Sequence, residues 1–463
     1  MGNNPQPTDL PEVYRGKYVK GLIITAIAII AAFTIYSTLP FSDQANRGIA
    51  LLTLIAILWL TEAIHVTITA LLIPVVAIAI GIEDINTKTA LQAFSDPIIF
   101  LFFGGFALAS ALHVQKIDKK IAFWLISLSG AHLGVTAFAI FGVTALLSMW
   151  ISNTATAAMM LPLAMGILSQ LDSTKDRGTF VFMLLGIAYS ASIGGLGTLV
   201  GSPPNAITAK NLGLDFVGWF KFGLPIMLVL LPVMILTLYF VFKPKLGQRI
   251  QVETEDIPWN PARITTMIIF VLTAAAWIGG TWIKNTLGIA SPDSFIALCA
   301  AIAVVLFGVT DWRQISENTD WGVLYLFGGG LTLSAILDIT GASAELGNMM
   351  AHVFGDAPVY VVILSVVTFI IILTEFTSNT ASAALLVPVF AGVAQQMQVP
   401  PLVLVMMIGI GASCAFMLPV ATPPNAIVFG TGAIRQREMI VAGGVLNLIC
   451  VIILSLWGYF FLM

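Results

Sequence analysis

SNTATAAMMLP occupies Ser152 to Pro162, and SNTASAALLVP occupies Ser378 to Pro388. Each copy sits inside a long apolar stretch, 132–170 in the first case and 357–396 in the second. A helix needs about 20 apolar residues to cross a bilayer. Each stretch therefore holds enough chain for two half-crossings, with the polar Ser-Asn-Thr near its middle. This placement predicts two re-entrant hairpins with the triplets at their tips.

Two other pieces recur around these copies in the same order. Phe103-Gly104-Gly105 matches Phe327-Gly328-Gly329, and GSPPNAI (Gly201 to Ile207) matches ATPPNAI (Ala421 to Ile427). The offsets are 224, 226 and 220 residues, a scatter that small loop insertions produce. The repeated pieces are the polar and Gly/Pro-rich ones, which duplication for packing alone does not require.

Composition identifies the solvent. Of 463 residues, 58% are hydrophobic and 9% are charged, against about 25% charged in soluble domains. Lipid is the main solvent, and the chain is an all-α polytopic membrane protein. A net charge of -3, with no Lys/Arg cluster, excludes a nucleic-acid partner. Cys299, Cys414 and Cys450 lie in apolar runs, and the four histidines (His65, His113, His132, His352) are scattered. Neither set has metal-ligand spacing. The polar start of the chain is too long for a signal-peptide n-region, so the first apolar run reads as an uncleaved span. Gln6 stands where a myristoylation motif needs Ser or Thr.

Apolar runs predict eleven spans near 20–39, 48–65, 66–82, 97–115, 178–212, 216–242, 262–283, 292–310, 321–341, 401–433 and 438–462. The runs 178–212 and 401–433 each carry a Pro-Pro pair that breaks them. With a cytoplasmic N-terminus, fifteen of the twenty Lys and Arg fall inside. This layout gives a cytoplasmic segment 1–19, a first span and first repeat over 20–242, a cytoplasmic linker 243–261 and a second repeat over 262–463, with the C-terminus outside. Five crossings separate the triplets, so the second repeat is inverted and the hairpin tips meet near the midplane. Inverted repeats with matching broken helices are the signature of a secondary transporter.

The motifs carry almost no charge. Each helix break exposes N–H groups that suit an anion and carbonyl oxygens that suit a small hard cation. Ser, Thr and Asn at the tips both donate and accept. No Lys or Arg lies in either tip or either break. A dianion or a cation placed there alone would cost several kcal/mol, on the order of the penalty for an unpaired buried ion. Together they attract by roughly 4 kcal/mol at about 4 Å and an effective dielectric near 20, and their binding becomes mutually dependent. Glu375 is the one carboxylate beside a motif; it either accepts a proton or hydrogen-bonds the hairpin tip. Glu62 and His65 read as interfacial, at the cytoplasmic end of the second span. No nucleophile–base pair converges on the motifs and no P-loop occurs, so neither an enzyme nor a primary pump is expected.

ASCAFMLPVATPPNAIV, from Ala412 to Val428, resembles the signature of the divalent anion/sodium symporters, the sodium:sulfate and sodium:dicarboxylate transporters. The paired Ser-Asn-Thr motifs match that family too, and length and spacing resemble its bacterial INDY-type dicarboxylate transporters. The resemblance implies a homodimer in the bacterial inner membrane, with a scaffold domain, a moving transport domain and an elevator-type motion. It implies a first Na+ site at Ser148, Ser152, Asn153 and Gly201, and a second at Thr374, Thr377, Asn379 and Ala421. Substrate carboxylates would meet Asn153, Thr154, Ser202, Ser378, Asn379, Thr380, Thr422 and Pro423. The implied activity is Na+-coupled uptake of a C4-dicarboxylate such as succinate, malate or fumarate. A sodium-independent exchanger and a sulfate or citrate symporter on the same fold are the alternatives.

Overall fold

The computed structural model describes residues 12–127, 130, 132–250, 255–355 and 357–463. The first residues of the expected cytoplasmic segment, 1–11, and linker residues 251–254 lie outside the described residues. Among the described residues every regular element is helical, and the only β-type contact is an isolated bridge between His132 and Arg249. Eight helices are long and apolar enough to cross a membrane, or up to ten if each of two sharply bent pairs counts as one span. Val66–Ala79 is apolar but shorter than a full crossing.

Both triplet stretches fold as helix, turn, helix. Leu133–Ser148 and Asn153–Leu168 flank the turn 149–152, and Val359–Thr374 and Asn379–Gln396 flank the turn 375–378. Ser152 and Ser378 are the N-caps of the second arms, accepting from the amides of Ala155 and Ala381. The polar triplet thus opens each second helix by satisfying one of its free N–H groups.

The broken spans differ from expectation in one detail. Pro203 and Pro423 do not end a helix; each opens one, Pro203–Asn211 and Pro423–Phe429. Proline suits a first helical position, where its missing N–H has no partner to lose. The stops lie upstream. Arg177–Gly194 ends in the short 3-10 turn Gly195–Gly197, and Pro401–Gly411 ends before an irregular stretch over 412–422. By contrast, Phe216–Phe242 runs through Pro225 and Pro232 as one helix.

Burial ranks the helices. Val19–Thr38 is 11% buried, with Ile30 and Phe33 bare, whereas Arg177–Gly197 is 94% buried. Both are apolar, as lipid-facing and core helices alike can be; burial alone puts the first break in the interior of the molecule. Ile117–Ser127 and Ala342–Phe354 are short helices that lie outside every expected span.

The loops form two separate groups. On one face Arg177 makes a two-pronged pair with Glu438 at 2.8 and 2.7 Å, Lys245 meets Asp176 at 3.2 Å, and Arg263 donates to the Gln115 carbonyl at 2.9 Å. On the other, Lys210 pairs with Asp96 at 2.6 Å and Arg47 reaches the Ile80 carbonyl at 2.7 Å. Each contact joins segments that the positive-inside count puts on the same side.

Candidate functional site

The two turns and the two breaks surround one cavity of about 970 Å³. Four helices begin at its wall, at Asn153, Pro203, Asn379 and Pro423. Their first-turn amides carry partial positive charge, which favours an anion. No Lys or Arg lines the cavity among the described residues. Its ionisable residues are Glu62, His65, His113 and Asp320, all at helix ends.

All eight residues expected to meet substrate line this cavity: Asn153, Thr154, Ser202, Ser378, Asn379, Thr380, Thr422 and Pro423. Of the residues expected to hold cations, Ser152, Gly201, Thr377 and Ala421 line it as well. Ser148 and Thr374 do not; both are fully buried behind the wall.

Behind the wall the two copies make the same hydrogen bonds. Ser148 Oγ lies 2.6 Å from Asn153 Oδ1 and 2.7 Å from the Ala191 carbonyl, with one proton to share between the two acceptors. Thr374 Oγ1 lies 2.8 Å from Asn379 Oδ1 and 2.7 Å from the Ala412 carbonyl, sharing its one proton in the same way. A hydroxyl therefore ties each triplet asparagine to the end of the neighbouring broken helix. The asparagines of the Pro-Pro-Asn motifs close the other side. Asn205 Nδ2 donates to the carbonyls of Gly195 and Thr198 at 2.8 and 2.7 Å, and Asn425 Nδ2 to those of Ala415 and Leu418 at 3.1 and 3.0 Å. These two asparagines had no expected role, although their repetition in the sequence marked them.

The first copy is tightly closed around glycine. A Cβ on Gly195 would lie 2.5 Å from Asn153 Oδ1 and 3.1 Å from the Gly201 carbonyl. The second copy carries Ala415 and Ala421 at these places. It has room for them because 412–422 runs without the 3-10 turn, and its amides need another partner. Glu375 supplies it. Its carboxylate accepts from Phe416 N at 2.7 Å, Met417 N at 2.9 and 3.1 Å, Leu418 N at 3.0 Å and Asn447 Nδ2 at 2.6 Å. Glu375 therefore holds the helix break, not the hairpin tip, because the break is where unpaired N–H groups remain.

The cavity walls are unequal. Trp150, in the first turn, stacks on Trp277 and Phe216 and meets Phe270 edge-on. Its counterpart Phe376 is 71% exposed, and Val420 is 83% exposed. Sequence reasoning missed the wall residues His113, Asn318 and Asp320. Glu62 and His65, read as merely interfacial, line the cavity as well. His113 Nδ1 lies 2.9 Å from the buried Asp118 carboxylate.

The citrate transporter family matches residues 56–409. A transporter of Haemophilus influenzae, itself uncharacterized, is 57% identical over 450 residues, covering 96% of this chain and 97% of that protein. The sodium-dependent dicarboxylate transporter SdcS of Staphylococcus saprophyticus is 32% identical over 473 residues, covering 95% of this chain and 90% of that one. Among solved structures, the YdaH transporter of Alcanivorax borkumensis matches with a TM-score of 0.57 at 14% identity, over 81% of this chain and 88% of that chain. MtrF of Neisseria gonorrhoeae matches at 0.54 and 14%, over 96% and 95%. The last two are likenesses of fold alone.

Proposed function

This chain belongs to the citrate transporter family, and from that premise we propose that it is a secondary symporter coupling Na+ entry to uptake of a C4-dicarboxylate. It is a multi-span helical membrane protein that transports rather than catalyses. The observation that carries the proposal is the cavity lining: both Ser-Asn-Thr turns, both helix breaks, and no Lys or Arg. A dianion in such a cavity needs mobile cations as its counter-charge. The name of the SdcS relative supports sodium and dicarboxylate together. The finer reading has eleven crossings, two re-entrant hairpins, inverted repeats over 20–242 and 262–463 joined by the linker 243–261, and an elevator motion in a bacterial inner-membrane homodimer with the N-terminus inside.

The first cation belongs to Ser148, Ser152, Asn153 and Gly201, and the second to Thr374, Thr377, Asn379 and Ala421. The hydroxyl of Thr377 is engaged with the Leu373 carbonyl and Ser382 Oγ, at 3.0 and 2.6 Å, so its backbone carbonyl is the ligand. One carboxylate of the substrate meets Asn153, Thr154 and Ser202, and the other meets Ser378, Asn379, Thr380, Thr422 and Pro423. The matched triplets suit a ligand with two similar ends, such as succinate.

The test is labelled-succinate uptake into liposomes, with an inward Na+ gradient, with choline in its place, and with unlabelled succinate trapped inside. Uptake that ignores Na+ but requires internal succinate overturns symport in favour of exchange. Asn153→Ala and Asn379→Ala each abolish uptake in folded protein; near-normal uptake in both removes the site.

A further inference from the structure

We propose that Glu375 is the positioning residue and fixed counter-charge of the second cation site, so that the two cation sites are unequal and the second holds its ion more tightly. The inference rests on the sodium-symport reading above and deepens it.

The two copies match at Ser148 and Thr374, and diverge at the next residue. In the first copy it is Met149, and in the second it is Glu375. The Met149 position serves the first break through its backbone, whose carbonyl accepts from Thr198 Oγ1. Glu375 serves the second break through a side chain that is 2% exposed. Its partners are the amides of Phe416, Met417 and Leu418 and the side-chain amide of Asn447. Every one is a donor. Neither oxygen meets an acceptor that would call for a proton, so the set suits an ionised carboxylate. Among the described residues no Lys or Arg pairs with it.

A carboxylate buried without a cation is costly, even when well hydrogen-bonded. The positive charge this region can recruit is the ion held by Thr374, Thr377 and Asn379, at the same turn of chain, and by Ala421, at the break whose amides Glu375 holds. The first site has no such charge behind it, because 195–197 satisfies its amides by a 3-10 turn.

Glu375 also sets geometry. It grips the amides of 416–418 while Asn425 grips the carbonyls of Ala415 and Leu418. The Leu418 carbonyl in turn accepts from Ala421 N at 3.2 Å, which fixes the backbone whose carbonyl faces the ion. Tyr189 OH donates to the Phe416 carbonyl at 2.6 Å, so a helix of the first repeat touches the second site's support.

The experiment uses full-length protein. Na+ is titrated against succinate uptake in liposomes, and against thermal stability in detergent without succinate. Glu375→Gln should raise the half-saturating Na+ about tenfold and bring its Hill coefficient toward one, with succinate KM at saturating Na+ within threefold of wild type. Glu375→Asp keeps the charge on a shorter arm, so it should hold the Na+ midpoint within threefold while lowering Tm. A purely structural role would move Tm in both variants and the Na+ midpoint in neither; that result overturns the proposal. If Glu375→Gln does not fold, Ser148→Ala and Thr374→Val decide. Stabilisation at low Na+ should survive the first and vanish in the second, and equal loss overturns the proposal. Na+-independent uptake by the wild type overturns the symport reading beneath it instead.

Discussion

Replacing Gly195 by alanine adds one methyl group at the tightest point of the first copy. The new Cβ would sit 2.5 Å from Asn153 Oδ1, 3.1 Å from Asn153 Nδ2 and 3.1 Å from the Gly201 carbonyl. The Gly201 carbonyl is backbone. The Asn153 amide can move only by giving up its 2.6 Å hydrogen bond from Ser148. Overpacking of this kind costs about 1–3 kcal/mol, and the lost hydrogen bond adds about 1 kcal/mol. The sum, about 2–4 kcal/mol, corresponds to roughly thirtyfold to several hundredfold less of the competent geometry, at 1.4 kcal/mol per decade. The assay is the initial rate of Na+-driven succinate uptake in liposomes, with Tm measured on the same preparation. Gly195→Ala should transport at most about a thirtieth as fast as wild type, whereas Ala415→Gly, at the matching place in the second copy, should stay within threefold. Gly195→Ala with uptake within threefold of wild type would refute the claim that Asn153 works in the position described.

Asn425→Leu should lower stability by about 1–3 kcal/mol, because it leaves the Ala415 carbonyl buried without a donor and the Leu418 carbonyl with the Ala421 amide alone; chemical or thermal unfolding in detergent reads this directly, and a Tm unchanged from wild type contradicts it. In a cysteine-free background, Phe376→Cys and Val420→Cys should react with a membrane-impermeant thiol reagent several times faster than Trp150→Cys, since the first two are open to the cavity and Trp150 is stacked. On the proposed orientation they react from the cytoplasmic side, and labelling only from outside reverses it. Thr380→Lys places a fixed ammonium in the cavity wall, so succinate should stabilise this variant without Na+ while Na+-driven uptake is lost. A folded Thr380→Lys that still needs Na+ to bind succinate counts against the electrostatic basis of coupling.

The Ser-Asn-Thr and Pro-Pro-Asn pairs were legible because the chain states them twice. Repetition at 226 and 220 residues put Asn153 beside Asn379 and Asn205 beside Asn425 before any coordinates were needed. The helix stops were less legible. Pro-Pro marks a boundary without saying whether a helix ends or begins there, and hydrogen-bond geometry decides that it begins. Ile117–Ser127 and Ala342–Phe354 escaped because short helices with polar faces resemble loops in hydropathy. His113, Asn318 and Asp320 come from distant helix ends, and no local pattern announces that they share a cavity. Glu375 was noticed for its charge, but its partners lie more than forty residues on. Only the absence of a 3-10 turn at 412–422 explains why a carboxylate is required.

The neutrality of the wall bears on coupling rather than on affinity. Helix N-termini contribute about 0.3–1 kcal/mol each toward an anion, up to about 2 kcal/mol when partly buried. The three longer helices that start at the cavity therefore supply a few kcal/mol. Desolvating two carboxylates costs several kcal/mol for each ion. The difference leaves a bare dianion weakly held. One cation at about 4 Å adds roughly 4 kcal/mol at an effective dielectric near 20, about a thousandfold in affinity. By linkage, the dianion raises the cation's affinity by the same factor. An arginine in the wall would supply that increment permanently, and the dianion would then bind with or without sodium. With uncharged Ser, Asn and Thr in its place, dianion binding waits on sodium, and the states that cross the membrane are the empty cavity and the fully loaded one, a cation held alone at the second site staying in place. A carrier that moves in only those two states cannot dissipate the sodium gradient without moving substrate.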